Sequence, residues 1–429
     1  MRITALALAM SGVVLHAQAP ESWSFHAQLT YQLQGHGSFD APYEGQNSLE
    51  NRKEIRGSYT TTLYLGHRAW KGGEAYADME MQAGSGISKV LGLAAPSNGE
   101  TYRVDSTTLK VGLARLFLRQ TWNLGGDSAV IEDGQNQLAG SQDRRRVVLT
   151  VGKFSGTDIF DGNTYAHDAR TQFNNWSLWA NAAWDYPADT RGYTWGAALE
   201  WYRDAWALRF GAMMEPQAAN EMQLDHDVRR AHGLVFECEH DHSIGGQNGA
   251  IRLLAFENRA RMGIYEEAIA QDPAAPDVTA TRAPGREKHG FGVNAEQAIT
   301  ADMGLFLRAG WNDGKTESWA FTEVERTLAM GLSSSGRAWG REQDHCGVGI
   351  VLNGINQDHR DYLAAGGYGF MVGDGRLNDA AEQVLDAYYA IALSRYGSFS
   401  LEAQRFRNLA FNQDRGPATV FGVRLHLQF

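Results

Sequence analysis

The residues of this 429-residue chain that could do chemistry are charged and aromatic side chains spaced two apart. Arg115, Phe117 and Arg119 alternate with Leu116 and Leu118. Arg209 sits between Leu208 and Phe210, Arg308 between Leu307 and Ala309, and Arg424 between Val423 and Leu425. Glu74, Asp78, Glu80 and Glu200 hold the polar positions of similar alternating runs. Side chains two apart share one face of an extended chain, so these groups are expected together on a polar face. Guanidinium–carboxylate pairs hold the guanidinium plane rigid and leave N–H donors for hydroxyl groups. An aromatic face, expected of Trp179 between Leu178 and Ala180, can lie against an apolar ring face. This is chemistry of weak, reversible contact rather than of bond making.

Other chemistries are not supported. Asp158, Asp161 and Asn163 miss the spacing of a calcium-binding loop. His226, His232, His240 and His242 have no Cys/His partners at structural-zinc spacing. No metal and no cofactor is therefore expected. No Gly-x-Ser-x-Gly elbow occurs, and strand parity brings no Ser/His pair inward, so an enzyme is not expected. Cys238 groups with Leu234 and Phe236, and Cys346 with Val348 and Ile350, on separate alternating runs; no disulfide is expected. A net charge of −11 argues against nucleic acid as a partner.

The elements that must position these groups are strands. Hydrophobic residues make up 43% of the chain, too many for disorder. Mean hydropathy is −0.39, and after the N-terminus no apolar run reaches about 18 residues, which excludes a bundle of membrane helices. Residues 1–19 read as an export signal, with Arg2, an apolar stretch from Ile3 to Leu15, and cleavage after Ala17 or Ala19. Residues 20–429 are then expected to form a single domain. From Trp23 to Leu33 the odd positions are apolar or aromatic and the even ones polar, about the length of a tilted membrane strand. The pattern recurs at seventeen places, beginning near residues 23, 57, 74, 111, 144, 176, 191, 205, 230, 248, 288, 303, 318, 344, 384, 398 and 418.

A soluble sandwich also alternates, but two features favour a membrane barrel. Trp176 and Trp184 bracket Leu178, Ala180 and Ala182, spaced as two interfacial girdles would be. The opposite faces carry Arg, Glu, Gln, Asn and Gly, which suit a wet lumen. Glycines such as Gly196, Gly211, Gly304, Gly310 and Gly422 fall there, where a missing side chain would leave room for a pore. The expected fold is all-β, a transmembrane antiparallel barrel of sixteen strands, with eighteen as the alternative because such barrels use even numbers. The run from Ser318 to Met330 is the least regular, because Glu323 and Glu325 share a face with Trp319 and Phe321. Phe421, Val423, Leu425, Leu427 and Phe429 form a last amphipathic strand. Its terminal aromatic resembles the signal by which bacterial barrels meet their assembly machinery, making Phe429 the expected contact.

Several segments do not alternate. Residues 152–176 read GKFSGTDIFDGNTYAHDARTQFNNW, residues 362–389 read YLAAGGYGFMVGDGRLNDAAEQVLDAYY, and Asp414-Arg415-Gly416-Pro417 precedes the last strand. With GLAAPSNG at 92–99 and RLFLRQTW at 115–122, they resemble the carbohydrate-selective porins of the OprB type, from the second strand to the end. The resemblance implies a sixteen-stranded outer-membrane barrel with inward-folded constriction loops. It would pass mono- and oligosaccharides such as glucose by passive diffusion, embedded in outer-membrane lipid, as a monomer or a homotrimer. A general porin for anions or other small molecules is the alternative reading. One departure is that Asp379-Ala380-Ala381 follows the GDG-x-L-N run where the family commonly has an aromatic. The candidate constriction residues are Arg115, Phe117, Arg119, Glu80, Trp179, Arg209 and Arg308 on strands. Asp158, Asp161, Asn163 and Asn175 join them from the 152–176 segment, where loop-closing Asx hydrogen bonds are an equally good reading.

Overall fold

A computed structural model describes residues 21–101 and 106–429; the expected export signal at 1–19 lies outside the described residues. The chain forms β1 (Trp23–His36), β2 (Glu54–Trp70), β3 (Gly73–Gly84), β4 (Lys110–Asn123), β5 (Ser128–Ile131), β6 (Gly140–Asp143), β7 (Arg146–Phe154), β8 (Thr194–Arg203) and β9 (Trp206–Met214). It continues with β10 (His232–Ile244), β11 (Gln247–Ala260), β12 (Arg286–Ala298), β13 (Met303–Asn312) and β14 (Arg326–Gly336). The last strands are β15 (Arg341–Gly354), β16 (Glu382–Ser394), β17 (Gly397–Arg407) and β18 (Ala418–Gln428). Sixteen of these close into one antiparallel barrel, with β4 pairing β7 and β1 pairing β18; β5 and β6 make a separate two-stranded hairpin. Among the described residues three short α-helices lie between strands: α1 (Trp176–Trp179), α2 (Tyr265–Gln271) and α3 (Gln357–Ala364).

Period-2 alternation produces the wall as expected. Leu116 and Leu118 on β4 face outward, 42% and 49% exposed, while Phe117 between them is 5% exposed on the lumen side. Aromatics rim both ends of the outer face. On β8, Trp195 and Trp201 are both exposed, about 20 Å apart along the strand. Trp70, Trp122, Trp206, Trp339, Tyr396 and Phe429 mark the short-turn end. Cys238 and Cys346 are free on β10 and β15, with four strands between them. On the outer face the His240 ring lies tilted against Trp206 with centroids 4.2 Å apart, and His242 bonds Gln297 at 3.0 Å.

Two expected strands are corrected. The 176–184 run is not in the wall: Trp176, Leu178, Ala180, Ala182 and Trp184 are all at most 2% exposed, and Ser177, Trp179, Asn181 and Ala183 between them are buried too. A membrane strand keeps one face in lipid, whereas this segment is enclosed on every side. It opens with the single turn of α1, capped by the Asn175 side chain accepting from Ser177 N at 3.1 Å. The run read as starting at 318 also lies inside the barrel until β14 starts at Arg326. Asp185 accepts from Trp319 N at 2.8 Å and Ala320 N at 2.6 Å, and Glu323 from Met371 N and Val372 N. Every other expected strand starts within three residues of its position, and β5 and β6 have no expected counterpart.

The inward glycines also have another use. A Cβ on Gly304 would lie 1.9 Å from the Tyr165 ring, one on Gly310 2.1 Å from Asn181, and one on Gly211 2.9 Å from Phe160. These glycines leave room for the 155–193 segment, which folds into the barrel, rather than for open pore.

Candidate functional site

The lumen is narrowed by a long segment between β7 and β8, residues 155–193, which crosses from one wall to the other. Its hydrophobic body is aromatic. Phe160 packs edge-on to Trp184, and Trp176 stacks on Phe321 at 4.8 Å. The polar chain around this body must be satisfied inside the barrel, and charged wall residues do this. On the β13 side, Arg308 is fully buried. Its Nε donates to the Asp161 carboxylate at 3.1 Å, and its Nη1 to Ala166 O and Leu178 O, each at 2.6 Å. Asp161 also accepts from Asn181 N at 2.7 Å and Asn294 Nδ2 at 2.6 Å. Asn163 bonds Asn294 at 2.8 Å and closes an Asx turn onto Tyr165 N. On the β16–β18 side, Asn174 meets Glu402, Asn175 N donates to Asp386, and Arg424 donates to Ala169 O at 2.6 Å and Gln172 O at 2.8 Å.

Against β3 and β4 the same segment meets the wall through polar groups, of which Arg115, Asp158 and Arg119 keep some exposure while Asp78, Glu80 and Tyr193 are buried. Arg115 clamps Asp158 with two hydrogen bonds of 2.7 Å, reaches Asp78 at 3.2 Å, and lies 5.0 Å over the Tyr193 ring. Arg115 is 13% exposed at its side chain, Asp158 22% and Arg119 25%. Burial opposes ionisation of Asp158, but the Arg115 guanidinium overrides it and holds the carboxyl well below the usual carboxylate range. Glu80 accepts from Arg170 at 3.0 Å, Tyr193 OH at 3.0 Å and Thr62 at 3.2 Å. Phe117 stacks on Tyr76 at 4.9 Å, and the Arg119 guanidinium covers both rings at 5.1 and 5.2 Å.

A second charged band runs along the β7–β12 wall. Arg146 lies 3.7 Å over Tyr202, whose hydroxyl donates to Glu200 at 2.6 Å. Arg209, 1% exposed, pairs with Glu200 at 3.4 Å, Glu237 at 2.6 Å and Glu239 at 3.0 Å. Arg252 links Glu239 to Glu296, which accepts from the Thr164 N–H and hydroxyl at the tip of the crossing segment.

The candidates therefore separate into two groups. Arg115, Phe117, Arg119, Glu80 and Asp158 come together where the crossing segment meets β3 and β4, with Arg115, Arg119 and Asp158 partly exposed and Phe117 and Glu80 buried. Asp161, Asn163, Asn175, Arg209 and Arg308 are inward as expected, but their polar atoms are engaged in fixing the crossing segment or the wall. Trp179 lies in α1, not on a strand, and is packed against Trp176 at 4.4 Å and under Gly99, leaving it no open face for a ring to stack on. Arg170 lies on non-alternating chain; Tyr193, which alternation sets on the outward face with Trp195, is instead fully buried just before β8 with its hydroxyl on Glu80. Tyr76 and Arg252 carry the parity signal and could have been found by the count that found Arg119.

Comparison with known proteins agrees with this geometry. Residues 47–429 match the family model described as carbohydrate-selective porin, OprB family. The fold is similar to OprB of Pseudomonas putida, with a TM-score of 0.72 at 15% identity over 95% of this chain and 94% of that one. It also resembles the outer-membrane channel DcaP of Acinetobacter baumannii, with a TM-score of 0.52 at 8% identity over 95% of this chain and 97% of that one. No curated protein sequence matches the chain. A closed sixteen-strand barrel, an inward-folded segment and a matching model over nearly the whole described chain place this protein in the carbohydrate-selective porin OprB family.

Proposed function

We propose that the chain is a passive diffusion channel for mono- and oligosaccharides such as glucose, leading across the bacterial outer membrane into the periplasm. The observation that carries this reading is the Arg115 constriction. Its guanidinium is held in plane by Asp158 and Asp78, beside Arg119, Glu80 and Tyr193. A sugar crossing it exchanges water for donors and acceptors in fixed positions, so little rearrangement opposes passage. Arg115, Asp158 and Arg119 stay partly wet, which keeps residence short, as conduction requires. Acids and bases alternate here, where a channel built for anions would show an excess of Lys and Arg. The same reading has residues 1–19 direct export and be removed, and Phe429 engage the barrel-assembly machinery.

The test is conductance of the full-length protein in planar bilayers during sugar titration. Stepwise channels whose current falls as glucose or a disaccharide is added support the proposal. Indifference to every sugar, with block by phosphate, would replace it with the anion-porin reading.

A further inference from the structure

The barrel has one connection out of keeping with its neighbours. At the end where β2–β3, β8–β9, β10–β11 and β16–β17 turn in two residues, the chain between β4 and β7 runs through residues 124–145 and includes the β5–β6 hairpin. Its tip does not project away from the barrel. Ser24 Oγ donates to Asp133 at 2.8 Å, Gln135 Nε2 to Gln28 at 3.1 Å, and Leu138 N to Tyr76 OH at 3.3 Å. Leu138 is buried. Gly134 and Gln137 pair in both directions, closing a tight turn whose third residue, Asn136, has φ of 56°, a conformation asparagine tolerates. The tip climbs to Gln28 and Asp78, each five residues in from the end of its strand, about 17 Å along it.

At that height it meets the constriction. Asn136 Nδ2 donates to Asp78 Oδ2 at 2.8 Å, the same oxygen that Arg115 Nη1 reaches, and Asn136 O accepts from Arg119 Nη1 at 2.9 Å. One residue thus touches the carboxylate and one of the guanidiniums that narrow the lumen, from the opposite end to Asp158. The Oδ1 atoms of Asn136 and Asp78 are buried without a hydrogen-bond partner among the described residues.

We infer that residues 132–139 form a second constriction element entering from the short-turn end, in which Asn136 is a positioning residue for Asp78 and Arg119 and so helps set solute selectivity. The inference rests on the sugar-channel reading for its solute but not for its geometry. A solute passing Arg115 meets groups held from both ends, by the Asp158 carboxylate from one and by the Asn136 amide from the other.

The test uses the full-length protein in planar bilayers with two variants. Asn136→Gly keeps the positive φ and removes the amide; Asn136→Asp keeps the backbone preference and sets a carboxylate against Asp78. Heat-modifiable gel migration confirms that both barrels are folded. The expected result for Asn136→Gly is a rise of about fivefold in the half-blocking sugar concentration, the loss of roughly one hydrogen bond's net worth. Asn136→Asp is expected to shift the permeability ratio in a KCl gradient toward cations. If both variants keep the parent's permeability ratio and sugar block, the inference is overturned. A parent without sugar block whose ratio still moves in Asn136→Asp would remove the sugar reading and keep the constriction element.

Discussion

Two inserts fill this barrel from opposite ends, and they are held by different means. The 155–193 segment carries an aromatic body and is pinned by buried charges, Arg308 to Asp161 and Arg424 to the carbonyls of Ala169 and Gln172. The 132–139 tip is mostly polar and half-exposed; most of its contacts set an amide, hydroxyl or carbonyl against a charged partner, as in Asn136 with Asp78 and Arg119, or pair two partly exposed groups, His26 and Asp133. A desolvated charge is strongly destabilising when its partner is lost, so the first insert has a single well-determined position. A hydrogen bond between a neutral and a charged group is worth about 1.5–3 kcal/mol net, but at this half-exposed tip water can replace a lost partner, so the second can be altered without unfolding its surroundings. The lesson is that rigidity at a constriction comes from where the charges are buried, not from how much chain is inserted.

The largest expected effect breaks the first insert. Asp161→Ala leaves Arg308, fully buried, without its carboxylate and should destabilise by about 3–5 kcal/mol. Urea unfolding in detergent micelles, followed by tryptophan fluorescence, checks this; a midpoint unchanged from the parent would show that charge does not pin the segment. Next comes a paired glycine experiment. Gly310→Ala pushes a methyl into Asn181 and should lose about 1–3 kcal/mol, whereas Gly134→Ala, at the second insert with open space around it, should stay within about 0.5 kcal/mol. Equal losses would erase the contrast.

Smaller effects concern conduction. Asp158→Asn removes a negative charge beside Arg115 and should move ion selectivity toward anions with the barrel still folded, read as reversal potential in a salt gradient. The smallest effect is that of pH. The Asp158 pKa is depressed in the folded state, so its contribution is fully present above the unfolded value of about 4 and is lost as pH falls through the lower folded value. Asp158→Asn should therefore leave the pH dependence of ion selectivity between pH 8 and pH 5 as it is in the parent; a dependence that disappears in the variant would show that Arg115 does not hold the carboxylate.

The wall was legible because a strand between lipid and lumen imposes a strict two-residue period, and Arg115, Arg119, Arg209 and Arg308 all fall on the expected side. The inserts were not legible by the same means. Trp176, Leu178, Ala180, Ala182 and Trp184 alternate as a strand would, yet period alone cannot distinguish one buried face from burial on all sides. The flanking Asn174-Asn175 pair, a capping and turn signature, was the available counter-signal. The reach of Asn136 is a tertiary fact: its partners lie on β3 and β4, and nothing local marks it except a Gly-Gln-Asn run suited to a turn. Arg308 was found by parity but assigned to the solute; only its partners show that its donors are already engaged.

The seam between β1 and β18 has a consequence for the order of assembly. It joins residues about 400 apart in the chain, Gln28 with Gln428, so the ring must wait for its most distant pairing and leaves two strand edges open until then. The last strands also bring Glu402 and Arg424, which fasten Asn174, Ala169 and Gln172 of a segment inserted more than 200 residues earlier. Sealing the cylinder and setting its narrowest point are therefore one event, and a barrel caught before closure would be wide as well as open.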